Sequence, residues 1–332
     1  MTLRKIASTH HNRLLLERTN HKPTHVAPVS LLRPLDDELE NQRCQRQISL
    51  ESTLKKSLGE PYFSDSGFIL YNGDSLKLLE DLLDSGLQWE LTITSPPYNI
   101  GKEYEQPLPL EDYIRWCSNW MGLIHKMTFH QGSFWLNVGY LEVPSKGLNV
   151  PIPYLLWDKS PFYLVQEVVW AYGAGVSSRR RLSPRNEKWL FYAKDSENYT
   201  FNLDDIRDPN VKYPNQKKNG KFRCNPLGKN PSDVWEFPKV TTGKDRSSKE
   251  RTGHPAQFPL AVVERIVRAS SNAVDLIFDP FAGSCSAGIA ACGLGRRFLG
   301  FEAREDYCQL AVKRFKDFLK ERSAVIEQSP LF

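Results

Sequence analysis

The sequence predicts an α/β fold: a twisted, mostly parallel sheet covered by helices, with one antiparallel strand and a loop-rich appendage. Three observations predict it. The apolar run Leu91-Thr92-Ile93-Thr94 ends abruptly at Ser95-Pro96-Pro97-Tyr98. The run Ala273-Val274-Asp275-Leu276-Ile277-Phe278 ends in Asp279 and passes through Pro280-Phe281-Ala282-Gly283 into the small residues of a helix start. A third short run, Arg297-Phe298-Leu299-Gly300-Phe301, ends in Glu302. Apolar strands that finish in a polar residue or tight turn and feed a helix are the units of parallel sheets, and ligands bind at the carboxyl ends of such strands.

The elements follow in order. Residues 1–58 are polar and charged, and Pro23, Pro28 and Pro34 break any long helix there, so they read as a partly ordered extension. The main body, 59–199, begins its regular structure near Ser66, with a strand over 67–71, a helix over 75–83 and a strand over 90–94. A helix over 110–127, a strand over 132–138 and a short helix over 150–158 come next. Segments 162–172 and 188–194 read as an antiparallel pair joined through Ser177-Ser178-Arg179-Arg180-Arg181. Eight prolines and glycines lie between Pro209 and Gly243, so 200–250 reads as a long loop region with a function of its own. Tyr199, Phe201, Tyr213, Phe222 and Trp235 are interleaved with its basic residues, which disorder rarely shows. Residues 251–322 complete the body with a helix over 260–269, the turn after Asp279, a strand over 297–301 and a helix over 305–319. Residues 323–332 are a tail.

Composition limits the function. No run approaches the roughly 20 apolar residues of a membrane span, and the N-terminus lacks the apolar core of a signal peptide. Six cysteines without C-x-x-C spacing argue against a disulfide framework and a zinc site, and suit a reducing cytoplasm. The formal charge is +5, but 179–251 alone carries 18 Lys and Arg against 10 Asp and Glu, a net of +8. A basic middle on a near-neutral body suits a polyanionic partner.

The two prolines of Ser95-Pro96-Pro97-Tyr98 stop the ladder and hold the backbone stiff and extended. A hydroxyl, a carbonyl and an aromatic ring are thereby presented together, able to accept hydrogen bonds from an amino group and to stack on a flat heterocycle. Around Asp279, small residues let a backbone approach a nucleoside cofactor closely. Glu302 follows Gly283 by 19 positions, close to the spacing of about 20 at which a carboxylate takes ribose hydroxyls.

Together these residues resemble the amino-methyltransferases that act on DNA bases with S-adenosyl-L-methionine, in the beta-class order that places the target-base motif before the cofactor motif. Tyr71-Asn72-Gly73-Asp74-Ser75, Asn225-Pro226-Leu227-Gly228 and His254-Pro255-Ala256-Gln257-Phe258-Pro259 add to the resemblance, which spans roughly 66–320. It implies a Rossmann-like methyltransferase fold with circularly permuted motif order. Ser-Pro-Pro-Tyr is typical of the cytosine-N4 enzymes of bacterial restriction–modification systems, whereas adenine-N6 enzymes usually carry Asp-Pro-Pro-Tyr. One departure is Cys285, which stands where the family often has a third glycine.

The resemblance implies roles. Ser95 and the Pro96 carbonyl accept the amino hydrogens of a flipped cytosine while Pro97 stiffens the turn and Tyr98 stacks on the base, and methyl transfer is direct. Asp279, Phe281 and Gly283 line the methionine end of the cofactor, and Glu302 takes the ribose. Asp74 is balanced between the cofactor's adenine and a helix N-cap. His254 shapes the cofactor pocket. Arg179, Arg180, Arg181 and Arg185, with Lys217 and Lys218, are expected on DNA phosphates, with activity falling steeply in salt, and 200–250 is expected to be the DNA target-recognition region. The expected partner is double-stranded DNA, with a restriction endonuclease acting separately, and the protein a monomer or homodimer. C5-cytosine methylation is disfavoured because no cysteine follows a proline. Adenine-N6 methylation, and nucleic-acid binding on an inactive methyltransferase fold, stay open as alternatives.

Overall fold

The computed structural model describes residues 37–102, 105–173, 177–240 and 250–328, with side chains to 324. Chain order is α1 (Asp37–Leu58), β1 (Phe63–Asp65), β2 (Phe68–Asn72), α2 (Ser75–Leu82), β3 (Trp89–Thr94), α3 (Leu110–Met127), β4 (Thr128–Val138), β5 (Tyr140–Val143), β6 (Gly147–Pro151) and α4 (Pro153–Leu156). Then come β7 (Tyr163–Ala171), β8 (Asn186–Ala193), β9 (Lys217–Lys218), β10 (Lys221–Phe222), β11 (Val234–Glu236), α5 (Leu260–Ser270), β12 (Leu276–Asp279), α6 (Ser286–Gly293), β13 (Arg297–Glu302) and α7 (Glu305–Gln328).

Nine strands form the main sheet in the order β1-β2-β13-β12-β3-β4-β8-β7-β11. From β2 to β4 all neighbours are parallel. β8 runs against both β4 and β7, as expected, and the three-residue β1 also pairs antiparallel at the far edge. The parallel strands are apolar on both faces because both are covered. Phe68, Leu70, Leu91, Ile93 and Ile277 pack on one side with α5, α6 and α7, and Ile69, Tyr71, Leu276 and Phe278 on the other with α1, α2 and α3. The two-residue alternation of strand side chains divides them.

The chain leaves β3 toward β4 on one side and β12 toward β13 on the other, although β3 and β12 are neighbours. Strand order therefore reverses between them, and a crevice opens at their carboxyl ends.

Four expectations need correction. Residues 37–58 are not part of a loose extension: α1 buries Leu50 and Leu54 in the core, and Arg43 Nη2 donates to the Ser66 carbonyl at 2.6 Å. Acids in its first turn and lysines in its last suit the helix dipole, so a polar sequence still makes a docked helix. Residues 1–36 lie outside the described residues. The helix expected over 150–158 shrinks to α4, because 147–151 pairs instead with β5. α7 runs to Gln328, so part of the expected tail is helical.

The fourth correction concerns 200–250, of which 241–249 lie outside the described residues. β8 descends to the amino edge of the parallel strands, where Thr200 N donates to the Gln131 carbonyl and Asn202 N to the Ala269 carbonyl at the end of α5. The region thus starts on the edge opposite the crevice. Tyr199 and Phe201 pack on Phe191 at 5.6 and 6.1 Å, and Trp235, 6% exposed, stacks on Trp135. Trp235 is a core aromatic and Tyr199 packs partly buried against the core, whereas Phe201, 43% exposed, lies at its margin. Tyr213 and Phe222, 61% and 62% exposed, do face solvent. β11 then pairs parallel with β7 and returns the chain to the carboxyl edge.

Candidate active site

The carboxyl ends of β2, β13, β12 and β3 surround one cleft. Its walls include Ser95, Pro96, Pro97 and Tyr98 from the segment after β3, and Asp279, Phe281, Gly283, Glu302, Asp74 and His254 from the other side. Residues some 200 positions apart in sequence meet here because β3 and β12 pair directly, Ile277 beside Leu91.

Thr94, the last residue of β3, donates its hydroxyl to Asp279 Oδ1 at 2.6 Å across the crevice. The Phe281 backbone N–H donates to the same oxygen at 3.0 Å. Burial pushes the Asp279 carboxyl up to about 7; these two hydrogen bonds oppose the rise and nearby Glu302 adds to it. Glu302 accepts from Gly283 N at 2.7 Å with one oxygen and from Arg304 N at 2.9 Å with the other. It clamps the loop onto β13, and burial raises its pKa too. Each carboxylate oxygen keeps a further lone pair.

Gly283 sits at φ 50°, where a Cβ would meet His254 Nε2 at 2.8 Å, so the loop passes directly beneath the imidazole. His254 Nδ1 accepts from Ala256 N at 3.2 Å, and its ring meets Tyr307 edge-on at 4.5 Å. Burial, with help from Arg314 and Arg304, lowers its pKa to about 4, so the ring is neutral near pH 7. Cys285 follows at φ 55°, ψ 38°, the left-handed conformation that the third glycine would have taken more easily. Asp74 caps α2 by accepting from Lys77 N at 3.0 Å while also lining the cleft. Ser75 Oγ donates to the Pro280 carbonyl, tying the start of α2 to the same loop.

On the target side, Ser95 Oγ donates to Tyr98 Oη at 3.1 Å, and Tyr98 Oη donates to Asn137 Oδ1 at 2.7 Å. Tyr113 on α3 donates to the Pro97 carbonyl at 2.9 Å and fixes the turn. Asn99, at φ 62°, exchanges side-chain hydrogen bonds with the Leu108 backbone, and Glu105 accepts from the N–H groups of Asn99, Ile100 and Lys102. The tyrosine ring lies so close to Gly139 that a Cβ there would meet Tyr98 Cε2 at 3.1 Å.

Sequence reasoning missed several of these residues. Asn137 comes from the end of β4 and Gly139 directly follows that strand. Trp116 and Trp120 line the cleft from α3 and pack on Phe281 at 5.4 and 5.3 Å. The four-residue spacing of two tryptophans on a helix just after the target-base motif was an available signal. The six basic candidates do not line the cleft. Arg179, Arg180 and Arg181 are exposed between β7 and β8, and Arg185 is half-buried near the base of that connection. β7 is parallel to β3, so the connection stands at the carboxyl edge. Lys217 and Lys218 form β9 on a separate exposed hairpin with β10. Among the described residues no group of His, Cys, Asp and Glu could hold a metal ion, and no helix is long and apolar enough to cross a membrane.

The cleft fits S-adenosyl-L-methionine. Two buried carboxyl groups, both pushed up by burial, favour a ligand with a positive centre, and the side-chain-free floor at Gly283 admits it closely. The backbone superposes on a cytosine-N4-specific PvuII DNA methyltransferase with a TM-score of 0.60 at 18% identity, covering 81% of this chain and 96% of that one. It also superposes on M1.HpyAVI solved with S-adenosyl-L-methionine, TM-score 0.51 at 21% identity, covering 75% of this chain and 98% of the other.

Fold and cleft define a Rossmann-like methyltransferase that depends on S-adenosyl-L-methionine. The chain belongs to the N6_N4_Mtase family of DNA methylases, whose model matches residues 89–313. Type II methyltransferase M.ScaI of Streptomyces caespitosus is 59% identical over 275 residues, 82% of this chain and 90% of that protein. DNA adenine methyltransferase YhdJ of Escherichia coli (strain K12) is 31% identical over 261 residues, 76% of this chain and 84% of that one.

Proposed function

We propose that this DNA methyltransferase transfers a methyl group to the exocyclic N4 of cytosine in duplex DNA, as the modification partner of a separately acting restriction endonuclease. The observation that carries the base assignment is Ser95, a neutral acceptor whose hydroxyl proton points to Tyr98 rather than into the cleft. M.ScaI, named as a Type II methyltransferase, supports the modification role.

The amino group of cytosine is a poor nucleophile because its lone pair is delocalised into the ring. Ser95 Oγ and the Pro96 carbonyl accept its hydrogens and so favour a pyramidal nitrogen with a localised lone pair. S-adenosyl-L-methionine, when bound, supplies a methyl group already activated on a sulfonium. Tyr98 stacks on the flipped base and Pro97, fixed by Tyr113, keeps the acceptors in place. The N–CH3 bond forms as the S–CH3 bond breaks, and the methylated nitrogen, then cationic and strongly acidic, loses one proton to water; Ser95 Oγ accepts its hydrogen bond and is not itself protonated. Asp279, Glu302, Gly283, Phe281 and His254 hold the cofactor, with Asp74 at the margin. A neutral serine suits an amine that becomes positive only transiently.

Incubation with duplex DNA and methyl-labelled S-adenosyl-L-methionine, followed by hydrolysis and nucleoside chromatography, tests the proposal. N4-methylcytosine is the expected product. N6-methyladenine, the product class that the name of YhdJ suggests, would keep the enzyme and overturn the base. No transfer to any duplex would favour a binding protein on an inactive fold.

A further inference from the structure

The connection between β7 and β8 holds the most exposed large apolar side chain among the described residues, Leu182, 93% accessible. A single exposed apolar side chain is ordinary on a protein surface, and it is the surroundings that distinguish this one. Its setting is cationic: Arg179, Arg180 and Arg181 precede it and Arg185 follows. Ser178 N donates to Ser183 Oγ at 3.2 Å, closing a short turn whose returning limb carries Leu182, and Pro184 stiffens the return. The turn is anchored at its base, where Tyr172 N donates to the Arg185 carbonyl at 2.9 Å.

The anchor adjoins the target-base motif. Tyr140 Oη donates to Asn186 Oδ1 at 2.6 Å, and Asn137, which holds Tyr98, donates to the Lys188 carbonyl at 3.1 Å. Glu187 Cγ and the Tyr98 ring flank the same glycine, Gly139. An exposed leucine with arginines on both sides in sequence therefore stands at the carboxyl edge, in the connection that leads into β8 beside the tyrosine.

We infer that Leu182 is the wedge that enters the base stack of duplex DNA beside the target, while the flanking arginines hold the phosphates. The inference rests on the proposed action on a base flipped out of a duplex. Apolar wedges inserted between base steps offset the stacking lost when a base leaves, and cationic neighbours supply sequence-independent grip. Charge selects the occupant: a polyanion with an apolar interior matches a leucine among arginines better than a protein groove does.

The test compares Leu182→Ala with wild type in single-turnover methylation of two duplexes. One carries the methylated site with its target base paired, the other the same site with the target base mispaired. A mispaired base is already loosened, so a wedge has less to do there. The variant should lose about ten- to a hundred-fold in rate on the paired duplex, and stay within about threefold of wild type on the mispaired one. Leu182→Phe, which keeps an apolar wedge, should retain most of the paired rate. Equal rates for Leu182→Ala and wild type on the paired duplex would overturn the inference, as would equal losses on both duplexes. If wild type methylates neither duplex, the proposed function fails and the wedge with it.

Discussion

The phenol of Tyr98 donates to Asn137 Oδ1 at 2.7 Å, and this bond sets the direction of every hydrogen in the target-base motif. Asn137 is fully buried and gives its amide N–H to the Lys188 carbonyl, so its oxygen can only accept. Tyr98 must therefore donate to it, and Ser95 in turn donates to Tyr98. A serine whose proton is committed in this way offers lone pairs to the cleft. The acceptor character that the proposed N4 transfer asks of Ser95 is imposed from two residues away.

Asn137 accordingly acts through Ser95, and a double-mutant cycle exposes it. Ser95→Ala should lower kcat by about 10²-fold and Asn137→Ala by about tenfold, with little change in KM for DNA. In the Ser95→Ala background the Asn137 substitution should cost almost nothing more. Full additivity, or a rise in KM alone, would reduce Asn137 to a packing residue.

Asp279 links the cofactor cleft to pH. Its folded pKa of about 7 lies above the ordinary 3.8, so between those values the folded protein holds a proton that the unfolded chain has released. Its contribution is therefore complete below about pH 4 and is lost as pH rises to 7. His254 runs the other way: lowered from 6.5 to about 4, it adds stability that disappears as pH falls through that window. Urea unfolding of wild type and Asp279→Asn over a pH series isolates the carboxyl, because His254 is common to both. The ligand-free variant should gain on the order of 2–4 kcal/mol relative to wild type from pH 4 to pH 8. Calorimetry should show it binding S-adenosyl-L-methionine more weakly. A pH-independent difference in stability would refute the assignment.

Cys285 separates backbone strain from side-chain packing. Its φ of 55° is costly for any residue with a Cβ, and the side chain is fully buried. Cys285→Ala keeps the strain and loses the thiol, whereas Cys285→Gly relieves the strain. The glycine variant should be more stable than the alanine variant by about 1 kcal/mol, although glycine ordinarily destabilises relative to alanine. Chemical denaturation measures the sign. Alanine above glycine would mean that the loop does not adopt the left-handed turn.

Much of the cleft was legible because its backbone chemistry is local. Two prolines after β3, an acid at the end of β12 and another at the end of β13 each announce a strand's carboxyl end within a few residues. Element type followed the apolar period, and α3 runs over 110–127 as expected. The failures were failures of context. Trp235 among lysines looked like a surface aromatic, but β11 pairs with β7 and lays it against Trp135. The polar segment 37–58 looked detachable because its two core anchors, Leu50 and Leu54, are too few to stand out.

The sequence by itself determined the parallel centre of the sheet, the motif order and ten of the residues that line the cleft, since strand ends and tight turns are written in prolines, glycines and terminal acids. The tertiary structure alone decided how those residues are oriented. Asn137 lies 39 positions from Tyr98 and carries no local signature, and only the pairing of β3 with β4 brings it to the phenol oxygen. Leu182 is unremarked in a basic loop until the antiparallel β8 turns that loop toward the carboxyl edge. Side-chain identity is inherited from the chain; hydrogen-bond direction and exposure belong to neighbours that the chain brings together only on folding.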